Sequence, residues 1–265
     1  MKNFKLLLAM LSLLFVSAFF IQSTEPDTDG EEVSACEVVN YLPHQELNAS
    51  EKEALLMMIE EEKLARDVYI TLGKEYDIKV FKNISDAENR HMEAIECLFE
   101  KYNLKNPIEE KALGEFSNRK FQEMYESLVI RGRTDITEAL KIGASIEDLD
   151  IYDLNELLES RTTDNDDLKA VFKELVRGSR NHMRAFTRNL EKQNAAYEVQ
   201  HISKDLYESI IAHEQERGGW LCGDEKPRDS REKGCKGEKG KCGDDCKGNK
   251  NGKKKCKGEG HHGKR

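Results

Sequence analysis

The sequence predicts an all-α protein: a four-helix bundle with one long crossover between its second and third long helices, a short C-terminal helix and a disordered tail. Three observations carry this. Residues 50–216 contain one proline, Pro107, and only five glycines, so little in that stretch breaks a helix. Apolar residues there recur at spacings of three and four rather than two, which is the helical period. Four long runs of this pattern stand out, and one connection between them is far longer than the rest.

The elements follow in order. Long helices are expected near 50–74, 83–103, 135–160 and 164–193, with a shorter one near 203–216. Short links join the first to the second and the third to the fourth, which favours antiparallel neighbours. The link from second to third covers about thirty residues and carries its own small helix near 117–131. A bundle with a single long crossover has ferritin-like rather than plain up-down connectivity.

Before and after the helices the composition changes. The chain has 265 residues and a formal charge of −9, but that charge averages two unlike parts. Residues 1–216 hold 26 Lys+Arg against 43 Asp+Glu, and residues 217–265 hold 16 against 8, with twelve of the 18 glycines. Hydrophobic residues at 38% and four prolines exclude a collagen-like chain, a multispanning membrane protein and a wholly disordered one. Residues 1–23 read as a secretory signal, with Lys2 and Lys5 ahead of an almost wholly apolar run over 6–21. Export to the periplasm, cell envelope or extracellular space is the expectation, and an uncleaved membrane anchor is the rival. Residues 24–42 read as a linker, 43–216 as the bundle and 217–265 as a basic tail too poor in apolar side chains to build a core.

An exported chain with seven cysteines is expected to form disulfides, with at least one thiol left over. Cys97 reads as a small buried hydrophobe, and Cys36 and Cys222 flank the bundle as candidates for tying its ends together, with the connectivity left open by the sequence. The tail cysteines, Cys235, Cys242, Cys246 and Cys256 among them, follow no zinc-module spacing. A solvated tail is the plain reading. Metal capture by loose thiolates and imidazoles, or adhesion to an anionic envelope surface, are the alternatives. The tail lysines alternate with glycine rather than aromatics, so no nucleic-acid partner is expected.

The seams of the helices are the informative part. Positions facing a common axis are Leu55, Met58, Glu62, Ala65, Tyr69 and Leu72 on the first helix, and Ile84, Glu88, His91, Ile95, Leu98 and Tyr102 on the second. The third gives Ile136, Leu140, Gly143, Glu147, Asp150, Leu154 and Leu157, and the fourth Leu168, Phe172, Leu175, Ser179, His182 and Phe186. Every row is interrupted midway by polar or ionisable groups. An unpaired buried charge costs several kcal/mol, about the same again for each further one, so carboxylates and imidazoles at one level call for a shared cation. Glu88 and His91 form Glu-x-x-His, which sets an oxygen and a nitrogen ligand one turn apart on one face. Glu62, Glu147 and His182 complete the set, and Asp150, one turn beyond Glu147, is the candidate for a further oxygen. Carboxylate-rich sites with one or two imidazoles suit iron or manganese, here two ions or one.

Other readings of the same residues stay open. Ser85-x-x-Glu88 is a capping box, in which Glu88 serves only backbone donors. Glu61 and Glu62 flank the first seam almost equally, and periodicity does not choose between them. Asp148, Asp150 and Asp153 also fit a solvated acidic face. Tyr69 and Tyr102 read first as core packing, and Arg66, Arg180 and Arg184 as partners of surface acids.

The stretch Glu62-Lys63-Leu64-Ala65-Arg66-Asp67-Val68-Tyr69 resembles the first-helix signature of rubrerythrin-type ferritin-like proteins, with Glu62 in the ligand position, and Glu88-x-x-His91 resembles their second-helix pair. Together with IEDLDI and GSRNHMRAF, these residues resemble the uncharacterised domain-of-unknown-function family 2202 over about residues 43–216. The resemblance implies a ferritin-like fold with a di-iron or di-manganese centre. One departure stands out: such proteins usually repeat Glu-x-x-His on the fourth helix, whereas here the pair is Ser179-x-x-His182.

The expected function is metal binding, with reduction of oxygen or peroxide, or oxidation of ferrous iron, as the enzymatic form. Non-catalytic metal storage or delivery and a metal-free helical interaction module are the alternatives. A homo-oligomer is compatible with either.

Overall fold

The computed structural model describes residues 34–217, and the predicted signal segment and nearly all of the tail lie outside them. Seven helices and no strands occur among the described residues: α1 (Ala35–Tyr41), α2 (Ala49–Tyr76), α3 (Lys79–Lys101), α4 (Arg119–Gly132), α5 (Ile136–Glu159), α6 (Asp166–Lys192) and α7 (Lys204–Ala212). The described residues form an all-helical fold. Among the described residues no helix is long and apolar enough to cross a membrane.

Helix boundaries follow local chemistry. Asn48 caps α2 by accepting from the Glu51 backbone N–H while the Glu51 carboxylate accepts from Asn48 N–H. Asp135 caps α5 by accepting from Glu138 N–H. α2 ends at Asp77, whose φ of 48° is left-handed, a conformation that Asp tolerates better than most residues. α3 starts at Lys79 with no side-chain cap, well before Ser85. The capping-box reading of Ser85 and Glu88 therefore fails, and the Ser85 hydroxyl instead donates to Lys82 O within the helix.

The four long helices touch in a closed cycle: α2 packs on α3, α3 on α6, α6 on α5 and α5 on α2. Their apolar stripes meet in one core that includes Leu55, Met58, Leu72, Phe81, Ile95, Leu140, Phe172 and Phe186. Tyr69, Phe81 and Phe186 form an aromatic cluster with ring centroids 5.2–6.1 Å apart. Gly143 makes room for it, since a Cβ there would lie 2.3 Å from the Phe186 ring.

Buried charges fix the ends and the crossover. Glu51, wholly buried, accepts from Asp164 and Asn165 N–H at the start of α6, 2.9 Å each. Asp167 takes Lys101 at 2.8 Å and the Tyr102 hydroxyl at 2.6 Å, joining the end of α3 to α6. Glu60 receives Ser117 and Asn118 N–H at the mouth of α4. Lys63 pairs with Asp67, which also receives Gly114 N–H at 2.8 Å. These contacts seat the long crossover against α2.

Two expectations are corrected. The predicted linker contains α1, opened by a Ser34/Glu37 capping box and packed on α3. Cys97 is not a lone buried thiol: it forms a disulfide with Cys36 of α1, which also removes the proposed Cys36–Cys222 tie. A seven-residue helix docked 61 residues away in sequence leaves no periodic signal. The remaining cysteines lie outside the described residues.

Candidate metal centre

Midway along the four long helices the apolar core gives way to ionisable groups. α2 contributes Glu62, α3 Glu88 and His91, α5 Glu147 and Asp150, and α6 Ser179 and His182, all buried. The helical period alone puts Glu88 and His91 on one face, and the antiparallel α2/α3 and α5/α6 pairs bring the four levels together.

Five of the six predicted residues fall into two groups whose donor atoms lie within 4.8 Å of one another: Glu62, Glu88 and His91, and Glu88, Glu147 and His182. Glu88 belongs to both. Its Oε2 is 2.7 Å from His91 Nδ1 and its Oε1 is 2.9 Å from His182 Nδ1. Glu62 Oε2 lies 3.1 Å from His91 Nδ1, and Glu147 Oε2 lies 3.4 Å from His182 Nδ1. The two imidazoles stack with centroids 5.4 Å apart. Asp150, the sixth, belongs to neither group. It is buried beside them and receives the Ser179 hydroxyl, so the acidic-face reading is wrong for Asp150, and for Asp148, which is buried too.

Glu88 Oε1 and His182 Nδ1 approach to 2.9 Å, whereas Glu62 Oε1 and Asp150 Oδ1 are buried without a hydrogen-bond partner. Buried polar atoms are nearly always satisfied. Two carboxylates and an imidazole with donor atoms within 4.8 Å of one another can hold a cation, and oxygen with imidazole nitrogen is the donor chemistry of iron and manganese.

Electrostatics give the same picture. Burial pushes the Glu62 carboxyl up to about 7, against the pull of His91 and with help from Glu88. Burial also raises Glu147 and Asp150. Burial opposes ionisation of Glu88 as well, but His182 and His91 hold it below the ordinary carboxylate range. Against their own burial, the facing carboxylates raise His182 to about 10 and hold His91 well above its usual value. Without a cation, protons carry the neutralising charge.

Two residues outside the candidate ligand set, Tyr69 and Gly178, shape the centre. The Tyr69 hydroxyl donates to Glu147 Oε1 at 2.5 Å, so it orients a candidate ligand as well as packing. Gly178 lets α6 approach α3, since a Cβ there would lie 2.3 Å from His91 Nε2. Sequence periodicity gives no hint of this contact. Glu61 turns away from the centre toward Asp153 of α5, and burial together with that neighbour pushes its carboxyl well up. Tyr102 donates to Asp167 and lies away from the centre. Of the predicted arginine pairings, Arg66 meets buried Asp67, while Arg180 and Arg184 both meet Glu216.

Comparison with known proteins places the chain. It is 49% identical over 182 residues to the uncharacterized protein MJ0754 of Methanocaldococcus jannaschii, covering 69% of this chain and 97% of that protein. The crystal structure of that hypothetical protein matches with a TM-score of 0.64, over 66% of this chain and 99% of the other. The family model described as an uncharacterized protein domain, DUF2202, matches residues 51–214. Those residues include every helix from α3 to α7 and nearly all of α2, with all the groups of the centre, and this chain belongs to the DUF2202 family.

Proposed function

We propose that α2, α3, α5 and α6 form a ferritin-like four-helix bundle whose buried carboxylate/histidine cluster binds two iron or manganese ions. The observation that carries this reading is the pair of buried three-donor groups sharing Glu88, with Glu62 Oε1 and Asp150 Oδ1 buried beside them and unpartnered. Glu62 and His91 would hold one ion, Glu147 and His182 the other, and Glu88 would span both. Tyr69 fixes the rotamer of Glu147, and Ser179 holds Asp150 beside the cluster. Asp150 thus offers from α5 the oxygen that Ser179 does not supply from α6.

Held by Glu62, Glu88, His91, Glu147 and His182, a redox-active metal pair would supply the electron-transfer chemistry for reduction of oxygen or peroxide, or for oxidation of ferrous iron. The surrounding chain contributes buried, fixed ligands. Storage or delivery of metal without catalysis is the second reading, favoured by the serine at position 179, where a repeated Glu-x-x-His would place a carboxylate. Export accompanies both readings, supported by the apolar N-terminal run and by the Cys36–Cys97 disulfide, a bond that persists in oxidising compartments.

Metal content per chain after anaerobic reconstitution with Fe(II) or Mn(II) tests the centre, and no bound metal would refute it. Single-turnover consumption of oxygen or peroxide by the iron-loaded protein then separates the two readings. Stoichiometric iron oxidation supports the enzyme, and tight binding without reaction supports the carrier. A melting temperature indifferent to either ion would leave only a metal-free helical module.

A further inference from the structure

A cavity of about 190 Å³ between α3 and α6 reaches the histidines of the centre. His91 and His182 line its buried end and Arg90 and Arg188 its exposed end, with Gly178 and Ala185 of α6 between them. No acidic group among the described residues lines it. Of the acids next to the rim, Asp86 pairs with Lys82 and Glu216 with Arg180 and Arg184, and exposed Glu214 is not part of the lining. Arg188 makes no ion pair or hydrogen bond with any described residue. Asn181 donates to Glu216 O at 3.0 Å and accepts from Glu216 N–H at 2.9 Å, which keeps the adjoining Gln215 at the mouth. The cavity is smaller than the roughly 300–1,000 Å³ of a pocket for a drug-sized ligand. With water taking about 30 Å³, it suits a molecule of a few heavy atoms.

Both imidazoles present Nδ1 to the carboxylates, His91 to Glu62 and Glu88, and His182 to Glu88 and Glu147. Nε2 lies on the other edge of each ring. For His91 it is 2.3 Å from where a Gly178 Cβ would stand, so glycine is what leaves that edge uncovered, and Gly178 also lines the cavity. An imidazole that gives Nδ1 to a cation carries its proton on Nε2. Metal-bound histidines almost always donate that proton to a carboxylate, a carbonyl or water. No described group accepts from Nε2 of either ring. We infer that the α3/α6 cavity binds a small inorganic oxyanion, which enters between Arg90 and Arg188 and accepts hydrogen bonds from the Nε2–H groups of His91 and His182. Guanidinium groups at a rim without acids draw in anions and exclude cations, and their forked donors suit oxyanions. An acceptor on the Nε2 side makes Nδ1 a stronger ligand, so the anion tightens the hold on the metal without touching it.

This inference rests on the proposed centre, and the test separates the two. The metal-free full chain is titrated with Co(II), whose visible absorbance reports binding at carboxylate/imidazole sites. Titrations run at constant ionic strength in perchlorate, a poor hydrogen-bond acceptor, and again with sulfate or nitrate in its place. The expected result is a Co(II) affinity about 10-fold higher with either oxyanion, the size of effect that an outer hydrogen-bond partner has on a metal site. Complexation of free Co(II) by sulfate acts in the opposite direction, so it cannot mimic this. Arg188→Gln, which removes a rim charge, is expected to need several-fold more anion for the same gain. Ala185→Leu, which fills the cavity, is expected to abolish the gain. Thermal melts in chelator check that both variants fold, and Arg188→Gln, at an exposed position, decides the matter should Ala185→Leu unfold. Equal Co(II) affinity of the parent in all three salts overturns the inference and leaves the centre standing. A parental response to the oxyanions in either folded variant also overturns it, by placing the anion elsewhere. No Co(II) uptake by the parent in any salt ends both.

Discussion

Substitution of Glu88 by Gln removes one negative charge common to both donor groups while keeping the side chain's size. The carboxylate oxygens lie 2.7 Å and 2.9 Å from the Nδ1 atoms of His91 and His182. In the metal-free protein Glu88 is ionised between two imidazoles that are held protonated. Its loss leaves those cations with only Glu62 and Glu147, both of which burial pushes toward the neutral form. Removing one partner from a buried charge set costs about 3–5 kcal/mol. For a helical domain of this size that corresponds to a fall in Tm of roughly 6–20 °C in the presence of chelator. With metal added, both ions lose a ligand, and the loss in affinity is expected to exceed the roughly 10–100-fold that follows removal of an outer hydrogen-bond partner. Glu62→Gln is expected to weaken one ion and Glu147→Gln the other, so the three variants form a graded set. Calorimetric titration with Mn(II), elemental analysis and melts with and without metal measure each arm. A Glu88→Gln protein that binds as many ions as the parent, with parental affinity, refutes the shared-ligand argument.

Gly178→Ala places a methyl 2.3 Å from His91 Nε2. It is expected to displace the imidazole, cost about 1–3 kcal/mol in a chemical melt and weaken the group containing Glu62 more than the one containing Glu147. Metal affinity should rise with pH, because binding needs Glu62 ionised and both imidazoles neutral. With Glu62 raised to about 7 and His182 to about 10, the rise spans that window, and Mn(II) titrations at several pH values check it. Glu216, held down to about 2 by Arg180 and Arg184 despite partial burial, contributes stability that is full above the ordinary carboxylate pKa of 4.5 and is lost as pH falls through about 2. The difference in urea midpoint between the parent and Glu216→Gln should therefore stay constant from neutral pH down to about 4.5 and shrink from there toward about 2. Cys36→Ser with Cys97→Ser opens a link between residues 61 apart. Loop entropy puts the loss near 4 kcal/mol, measurable as a lower denaturant midpoint with the metal content unchanged.

Much of the helical content was legible in the sequence. The period of three and four in the apolar residues, unbroken by proline over long runs, places α2, α3, α5 and α6 to within a few residues, because helix formation there depends on local geometry and a single buried stripe. The interruption of each stripe by ionisable groups was equally plain. A row such as Ile84, Glu88, His91, Ile95 has a helical period whatever packs against it. What periodicity could not do was rank neighbours. Glu60, Glu61 and Glu62 have the same chemistry and all are buried. Their separate destinations, the α4 backbone, Asp153 and His91, depend on which element lies in each direction.

Short or distant contacts escaped the sequence for the same reason. α1 has seven residues and owes its place to packing on α3 and to Cys97, neither of which is local. Gly178 carries no pattern of its own, and only the approach of α6 to the His91 ring shows why a side chain there would collide. Ser179 reads in the sequence as a defect in a ligand pair. In three dimensions its hydroxyl holds Asp150, a carboxylate from the neighbouring helix. The sequence by itself determined which segments coil and which of their faces carry charge, since both follow from spacing along one chain. The tertiary structure alone decided which charges meet, because that depends on helix register and on distances between residues far apart in the sequence.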